Sequence, residues 1–137
     1  MNIQLDYSIT IDEFLEMVDS VGWKIYSELQ FEKALENTMY MVKATVDGEL
    51  AGIGRVVGDY SIICILTDIC VKPKFQGKGI GLRITNELKK LIETNVSEGE
   101  KMQIELTPTA GNEAFYAKAG FKYRPDKITG MYLWIKK

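Results

Sequence analysis

The stretch from residue 40 to residue 82 constrains the fold more than any other part of the chain. Tyr40–Val46 is rich in strand formers, Asp47-Gly48 is a hairpin turn signal, and residues 49–57 resume the strand pattern. Gly58-Asp59 marks another turn before residues 61–71, an isoleucine-rich run that reads as the central strand. This order predicts an antiparallel meander. Pro73 closes the last strand, residues 72–81 are basic and glycine-rich, and Ile84, Leu88, Leu91 and Ile92 then recur at helical spacing. A strand thus passes into a helix through Gly77, Gly79 and Gly81.

The flanking segments supply the remaining elements. Ile3, Leu5 and Tyr7 alternate with polar residues as in a half-buried strand. Thr10 and Glu13 have capping-box spacing, and Ile11, Phe14, Leu15, Val18 and Val21 predict a helix ending near Gly22. A second, shorter helix is predicted over residues 31–37, with Phe31, Ala34 and Leu35 facing inward. Met102, Ile104 and Leu106 alternate with Gln103, Glu105 and Thr107 until Pro108, and residues 112–119 form a helix-length segment ending at Gly120. Residues 121–123 and 131–135 read as a closing strand pair around a loop over residues 125–130. The expected fold is α/β (α+β), a mixed, mostly antiparallel central sheet flanked by helices. At 137 residues and 46% hydrophobic composition, one domain over residues 1–137 is expected.

The absence of histidine limits the chemistry most. It removes histidine-based nucleophile triads, helical zinc-protease motifs and Cys/His zinc fingers, so acid–base work falls to carboxylates, tyrosine, lysine, cysteine or water. Cys64 and Cys70 lie on one predicted strand, about 20 Å apart, whereas a disulfide needs Cα atoms within about 7 Å. They are expected to be reduced, and no metal site is expected. No run approaches the roughly 20 apolar residues of a membrane span, and the first ten residues lack a signal-peptide pattern, so a cytoplasmic location is expected. Charge is unevenly placed: residues 1–37 carry eight acids and two lysines, net −6, and the remainder carries +4. That polarity suits an anionic ligand on one part and a cationic one on the other, or is simply solvated helix surface.

Glycines at 77, 79 and 81 let a ligand approach the backbone, while the following helix offers unpaired N–H groups and a positive dipole end. Lys72, Lys74 and Lys78 add positive charge, which together favours a phosphate anion; a purely structural glycine turn is the alternative. A P-loop requires serine or threonine after its glycine-lysine pair, and neither pair here has one. A dinucleotide fingerprint starting at Gly77 requires glycine at position 82, where Leu82 stands.

Gln76-Gly77-Lys78-Gly79-Ile80-Gly81 resembles the [QR]-x-x-G-x-[GA] acetyl-CoA signature of the GNAT N-acetyltransferase superfamily, preceded by an apolar strand ending in Ile69-x-Val71-x-Pro73. Tyr116-Ala117-Lys118-Ala119-Gly120-Phe121 resembles that family's Y-x-x-x-G-F element. The element order matches over nearly the whole chain. The resemblance implies a GNAT-like acyl-CoA N-acyltransferase fold whose fourth and fifth strands splay to admit the pantetheine arm of acetyl-CoA. It implies that the backbone of Ile69, Cys70 and Val71 binds that arm and that Gln76, Gly77, Lys78, Gly79, Ile80, Gly81 and Leu82 hold the pyrophosphate. Tyr116 is implied as the acid that protonates the departing thiolate.

Many members carry asparagine seven residues before that tyrosine, where this chain has Thr109. Asn112 is four before, on the same helical face, and is either a ligand contact or a helix cap. Attack by a protonated amine requires a base; Asp68 and Glu105, on the two strands flanking the implied cleft, are the candidates, along with a water chain. Cys70, an apolar-strand thiol without a base, argues for direct transfer over an acyl-cysteine. The acceptor is a small-molecule or peptide amine; Trp23, Tyr26 and Tyr40 occupy its implied side or are core. No nucleic-acid or membrane partner is expected, and a homodimer is left open. The other open readings are a CoA-binding sensor or partner-binding module without turnover, and a longer acyl-CoA.

Overall fold

The structure is a computed structural model that describes residues 1–124 and 130–137. It divides into two compact units, Met1–Leu106 and Thr107–Lys137. The first holds a five-stranded sheet in the order β1 (Ile3–Asp6), β2 (Tyr40–Val46), β3 (Glu49–Gly58), β4 (Ile63–Val71) and β5 (Gln103–Glu105). The first four strands pair antiparallel, and β4 and β5 pair parallel. The expected mixed, mostly antiparallel sheet is the one observed.

Helices cover both faces. α1 (Ile11–Ser20) begins at the expected capping box, with Thr10 Oγ1 accepting from the Glu13 amide at 3.1 Å and Glu13 Oε1 accepting from the Thr10 amide at 3.0 Å. α2 (Glu28–Glu36) starts earlier than its apolar spacing indicates, because Ser27 and Gln30 form a second capping box. Phe14, Met17 and Val18 of α1 and Phe31 of α2 pack with Met41, Leu50, Ile53 and Cys70 of the sheet. α3 (Ile80–Glu93) lies on the other face, where Ile80, Ile84, Leu88 and Ile92 are buried.

Gly52 and Gly54 let α3 come this close to β3. A Cβ on Gly54 would stand 2.7 Å from Ile84 Cγ2 and 2.9 Å from Leu88 Cδ1, both in the packed core. Overpacking of that kind costs about 1–3 kcal/mol. Gly54→Ala is expected to lower the urea midpoint of unfolding at unchanged m-value. An unchanged midpoint would contradict the close α3–β3 contact.

The second unit contains α4 (Glu113–Lys118). The closing strand pair is not found: residues 121–123 and 131–135 have no strand structure, and Met131, Tyr132, Leu133 and Ile135 are exposed. An apolar run becomes a strand only where a neighbouring edge accepts its hydrogen bonds, and periodicity does not identify that edge. Most of the expected intervening loop, residues 125–129, lies outside the described residues.

Candidate functional site

The parallel ladder between β4 and β5 is short. Ile63, Cys64 and Ile65 pair with Gln103, Ile104 and Glu105, and the pairing ends there. Residues 66–71 of β4 pair on their other side with β3 only, so among the described residues this length of β4 presents an open edge. The Lys72 amide donates to the Ala51 carbonyl on β3 at 2.8 Å. Backbone groups in a strand alternate in direction, so Cys70 also faces β3, and Ile69 and Val71 turn their amides and carbonyls to the open edge. At that edge the Val71 carbonyl accepts from Gln76 Nε2 at 2.9 Å. Of the three residues implied to bind the pantetheine arm through their backbone, the geometry therefore offers Ile69 and Val71 and turns Cys70 inward.

The open edge leads into the glycine loop. A single 3-10 turn, Pro73–Phe75, buries Phe75 and delivers exposed Gln76, Gly77, Lys78 and Gly79 to the start of α3. Gly77 and Gly79 have φ of 77° and 79°, a region that L side chains rarely adopt, and among the described residues nothing lies within 4 Å of a Cβ placed on either. Gly79 is the N-cap of α3 and has no side chain to satisfy the helix's first amides, those of Ile80, Gly81 and Leu82. Open space over glycine backbone and uncapped amides at a positive dipole end fits an anionic phosphate group. Lys72 and Lys74 are paired with Glu16 and Glu49 at 2.8 and 2.5 Å, and Lys78 lies 5.9 Å from the Phe75 ring.

Cys70 and the carboxylates differ in what they can do. Burial, with a smaller contribution from Asp68, pushes the Cys70 thiol up to about 12, so at neutral pH it is protonated and a poor nucleophile. Asp68 Oδ2 accepts from Arg55 Nε at 2.5 Å, and Arg55 Nη1 donates to Thr38 Oγ1 at 3.2 Å. Glu105 is half-buried and stands opposite Ile65 at the last paired position of the parallel ladder. Sequence reading missed Arg55, because no local signal shows which residue faces Asp68 across an irregular strand pair.

In the second unit, Tyr116 lies on α4, with its ring edge-on to Phe115 at 4.8 Å and to Phe121 at 6.1 Å. Asn112 occupies the N-cap position but makes no side-chain cap; its Nδ2 turns back to Thr109 Oγ1 at 2.5 Å. Among the aromatics considered for the acceptor, Trp23 packs against the α1–α2 core, and Tyr26 is edge-on to Phe31 at 5.7 Å. Tyr40 instead lines a cavity of about 350 Å³ with Tyr7, Met39 and Leu91, none of which belongs to β4 or the glycine loop. Among the described residues, no group of three or more Cys, Asp or Glu side chains could hold a metal ion, and no helix is long and apolar enough to cross a membrane.

Residues 11–129 match the family described as "Acetyltransferase (GNAT) domain". The chain belongs to this family of GNAT acetyltransferases. It is 27% identical over 129 residues to the uncharacterized N-acetyltransferase ycf52 of Pyropia yezoensis, covering 91% of this chain and 72% of that one. Its fold is that of a probable acetyltransferase from Staphylococcus aureus, with a TM-score of 0.85, 24% identity and coverage of 98% of this chain and 100% of that one. It is also that of a PaiA N-acetyltransferase from Thermoplasma acidophilum in complex with coenzyme A, with a TM-score of 0.64, 21% identity and coverage of 90% and 92%.

Proposed function

We propose that the protein transfers an acetyl group from acetyl-CoA to a primary amine by direct attack in a ternary complex. The observation that carries this reading is the unpaired edge of β4 running directly into a glycine loop and the uncapped start of α3. An extended arm with amide groups can add to that edge as a strand would, and its pyrophosphate can meet the α3 amides. The coenzyme A bound in the Thermoplasma acidophilum relative supports the ligand.

In the transfer, the amine nitrogen forms a bond to the thioester carbonyl carbon and the carbon–sulfur bond breaks. A backbone N–H at the β4 edge, from Ile69 or Val71, steadies the charge that develops on the carbonyl oxygen. The amine gives up its proton to Glu105, directly or through water, and Tyr116 protonates the leaving thiolate. Lys78 and the amides of residues 77–82 hold the pyrophosphate, the Gln76 amide being taken by the Pro73 carbonyl, and Asn112 is a further contact to the ligand. The protonated Cys70 supports direct transfer without an acyl-enzyme. Two free, buried thiols fit a reducing compartment, the cytoplasm being the one proposed.

The acceptor is a small-molecule or peptide amine approaching from the α1–α2 side, where Glu13 and Glu16 are already paired with Lys43 and Lys72. The remaining acids of residues 1–37 would attract a cationic amine. Calorimetric titration tests the first step: acetyl-CoA is expected to bind the folded protein saturably at one site per chain. Absence of binding would remove the assignment of the β4 edge and glycine loop.

A further inference from the structure

Resting on the acetyl-transfer reading and extending it, we propose that Asp68 is a positioning residue whose left-handed backbone conformation fixes a bulge in β4 and so determines which backbone groups reach the open edge. The register shows the irregularity. Arg55 pairs with Thr67 and Ile53 with Cys70, so Asp68 and Ile69 together oppose Gly54 alone. This is a β-bulge with its extra residue on β4.

The bulge inverts the alternation of β4. On β3, the Val56 carbonyl accepts from the Met39 amide of the segment leading into β2 and therefore faces away from β4, so Arg55, one residue earlier, faces β4 with its partner Thr67. A regular strand continuing from Thr67 would turn Ile69 and Val71 toward β3 as well. Instead, the Lys72 amide bonds to Ala51 on β3, which places Cys70 inward and Ile69 and Val71 outward. The one extra residue accounts for the change. It falls after Ile65, where the ladder with β5 has already ended, so the inverted stretch is the unpaired one.

Asp68 is suited to hold the bulge by its conformation. Its φ is 53°, in the left-handed region that Asp and Asn tolerate better than other non-glycine residues and that a β-branched residue avoids. Its carboxylate is tied to Arg55, whose guanidinium also reaches Thr38, between α2 and β2, and lies 5.7 Å from the Phe14 ring of α1. The carboxylate is thereby anchored to three other parts of the first unit.

The test compares Asp68→Gly, Asp68→Asn and Asp68→Val in the full chain, by acetyl-CoA calorimetry, amide hydrogen exchange, and kcat and KM across pH. If left-handed tolerance sets the edge, Gly and Asn retain acetyl-CoA affinity to within about threefold and Val loses about tenfold or more. The Asn variant loses less than about tenfold in kcat and keeps the acidic limb of the wild-type pH profile. In the Val variant the Val71 amide becomes protected from exchange and the Cys70 amide loses protection, a readout that needs no ligand. Gly and Asn variants that bind acetyl-CoA but lose turnover and the acidic limb would make Asp68 the base and overturn the proposal. A folded Val variant with wild-type affinity and exchange would also overturn it. If Val does not fold, the Gly and Asn variants alone decide between positioning and base. Failure of the wild-type protein to bind acetyl-CoA would instead remove the functional reading, with the exchange pattern still reporting on the bulge.

Discussion

Tyr116→Phe is expected to lower turnover by roughly 10²- to 10⁴-fold if proton delivery to the leaving thiolate limits the rate. The substitution removes only the hydroxyl. The ring contacts of Tyr116 with Phe115 and Phe121 are made by its aromatic face and edge, and phenylalanine keeps them. Acetyl-CoA affinity should change little while kcat falls, and a thermal melt of the variant separates any change in stability from the loss of turnover. Single-turnover release of free thiol at saturating acetyl-CoA and acceptor measures this. A loss well under tenfold would mean that the thiolate leaves unaided or takes its proton from water, and Tyr116 would then be a packing residue of α4.

Gly79→Val is expected to reduce acetyl-CoA affinity by about tenfold or more, equivalent to at least about 1.4 kcal/mol. Two effects act together. Valine at a φ of 79° strains the N-cap of α3, and its side chain enters the open space over the loop. Gly79→Asn separates them, since asparagine tolerates the left-handed region and is a good N-cap. If the loop is a phosphate cradle, Asn leaves stability near wild type and still weakens binding, because its side chain occupies the ligand's space and satisfies an amide the phosphate would use. Calorimetry on both folded variants gives the answer. Wild-type affinity in either one would remove the cradle assignment.

The parts of this fold that were legible in the sequence are those whose cause is local. The Asp47-Gly48 turn, the Thr10–Glu13 capping box and the apolar spacing of Ile84, Leu88 and Ile92 each specify an element without reference to the rest of the chain. The early start of α2 was also encoded locally, in Ser27 and Gln30, but the apolar face of Phe31, Ala34 and Leu35 begins too late to show it. The closing strand pair was misread because residues 131–135 have a strand's composition, and composition does not supply the partner edge that makes a strand.

The candidate site divides along the same line. Gln76 to Leu82 could be read directly, because positive φ at Gly77 and Gly79 demands glycine and the following helix start is a fixed geometry. Which of Ile69, Cys70 and Val71 faces the open edge could not, because it depends on a bulge set by Asp68 against Gly54 on another strand. The partner of Asp68 lies 13 residues earlier in the chain, and the ion pair follows from the β3–β4 register alone. The inertness of Cys70 could be anticipated from its apolar neighbours, since burial is the main reason its thiol is pushed up to about 12.

The most direct measurement of the function is thiol release from acetyl-CoA by the wild-type protein across a panel of primary amines and amino-terminal peptides, with the acetylated product identified by mass spectrometry. The expected result is saturable, acceptor-dependent release, one acetylated amine per thiol, with no labelled protein accumulating as an acyl-enzyme. Release with no acceptor requirement, or tight acetyl-CoA binding with no turnover on any amine, would contradict acetyl transfer by direct attack and leave a CoA-binding module in its place.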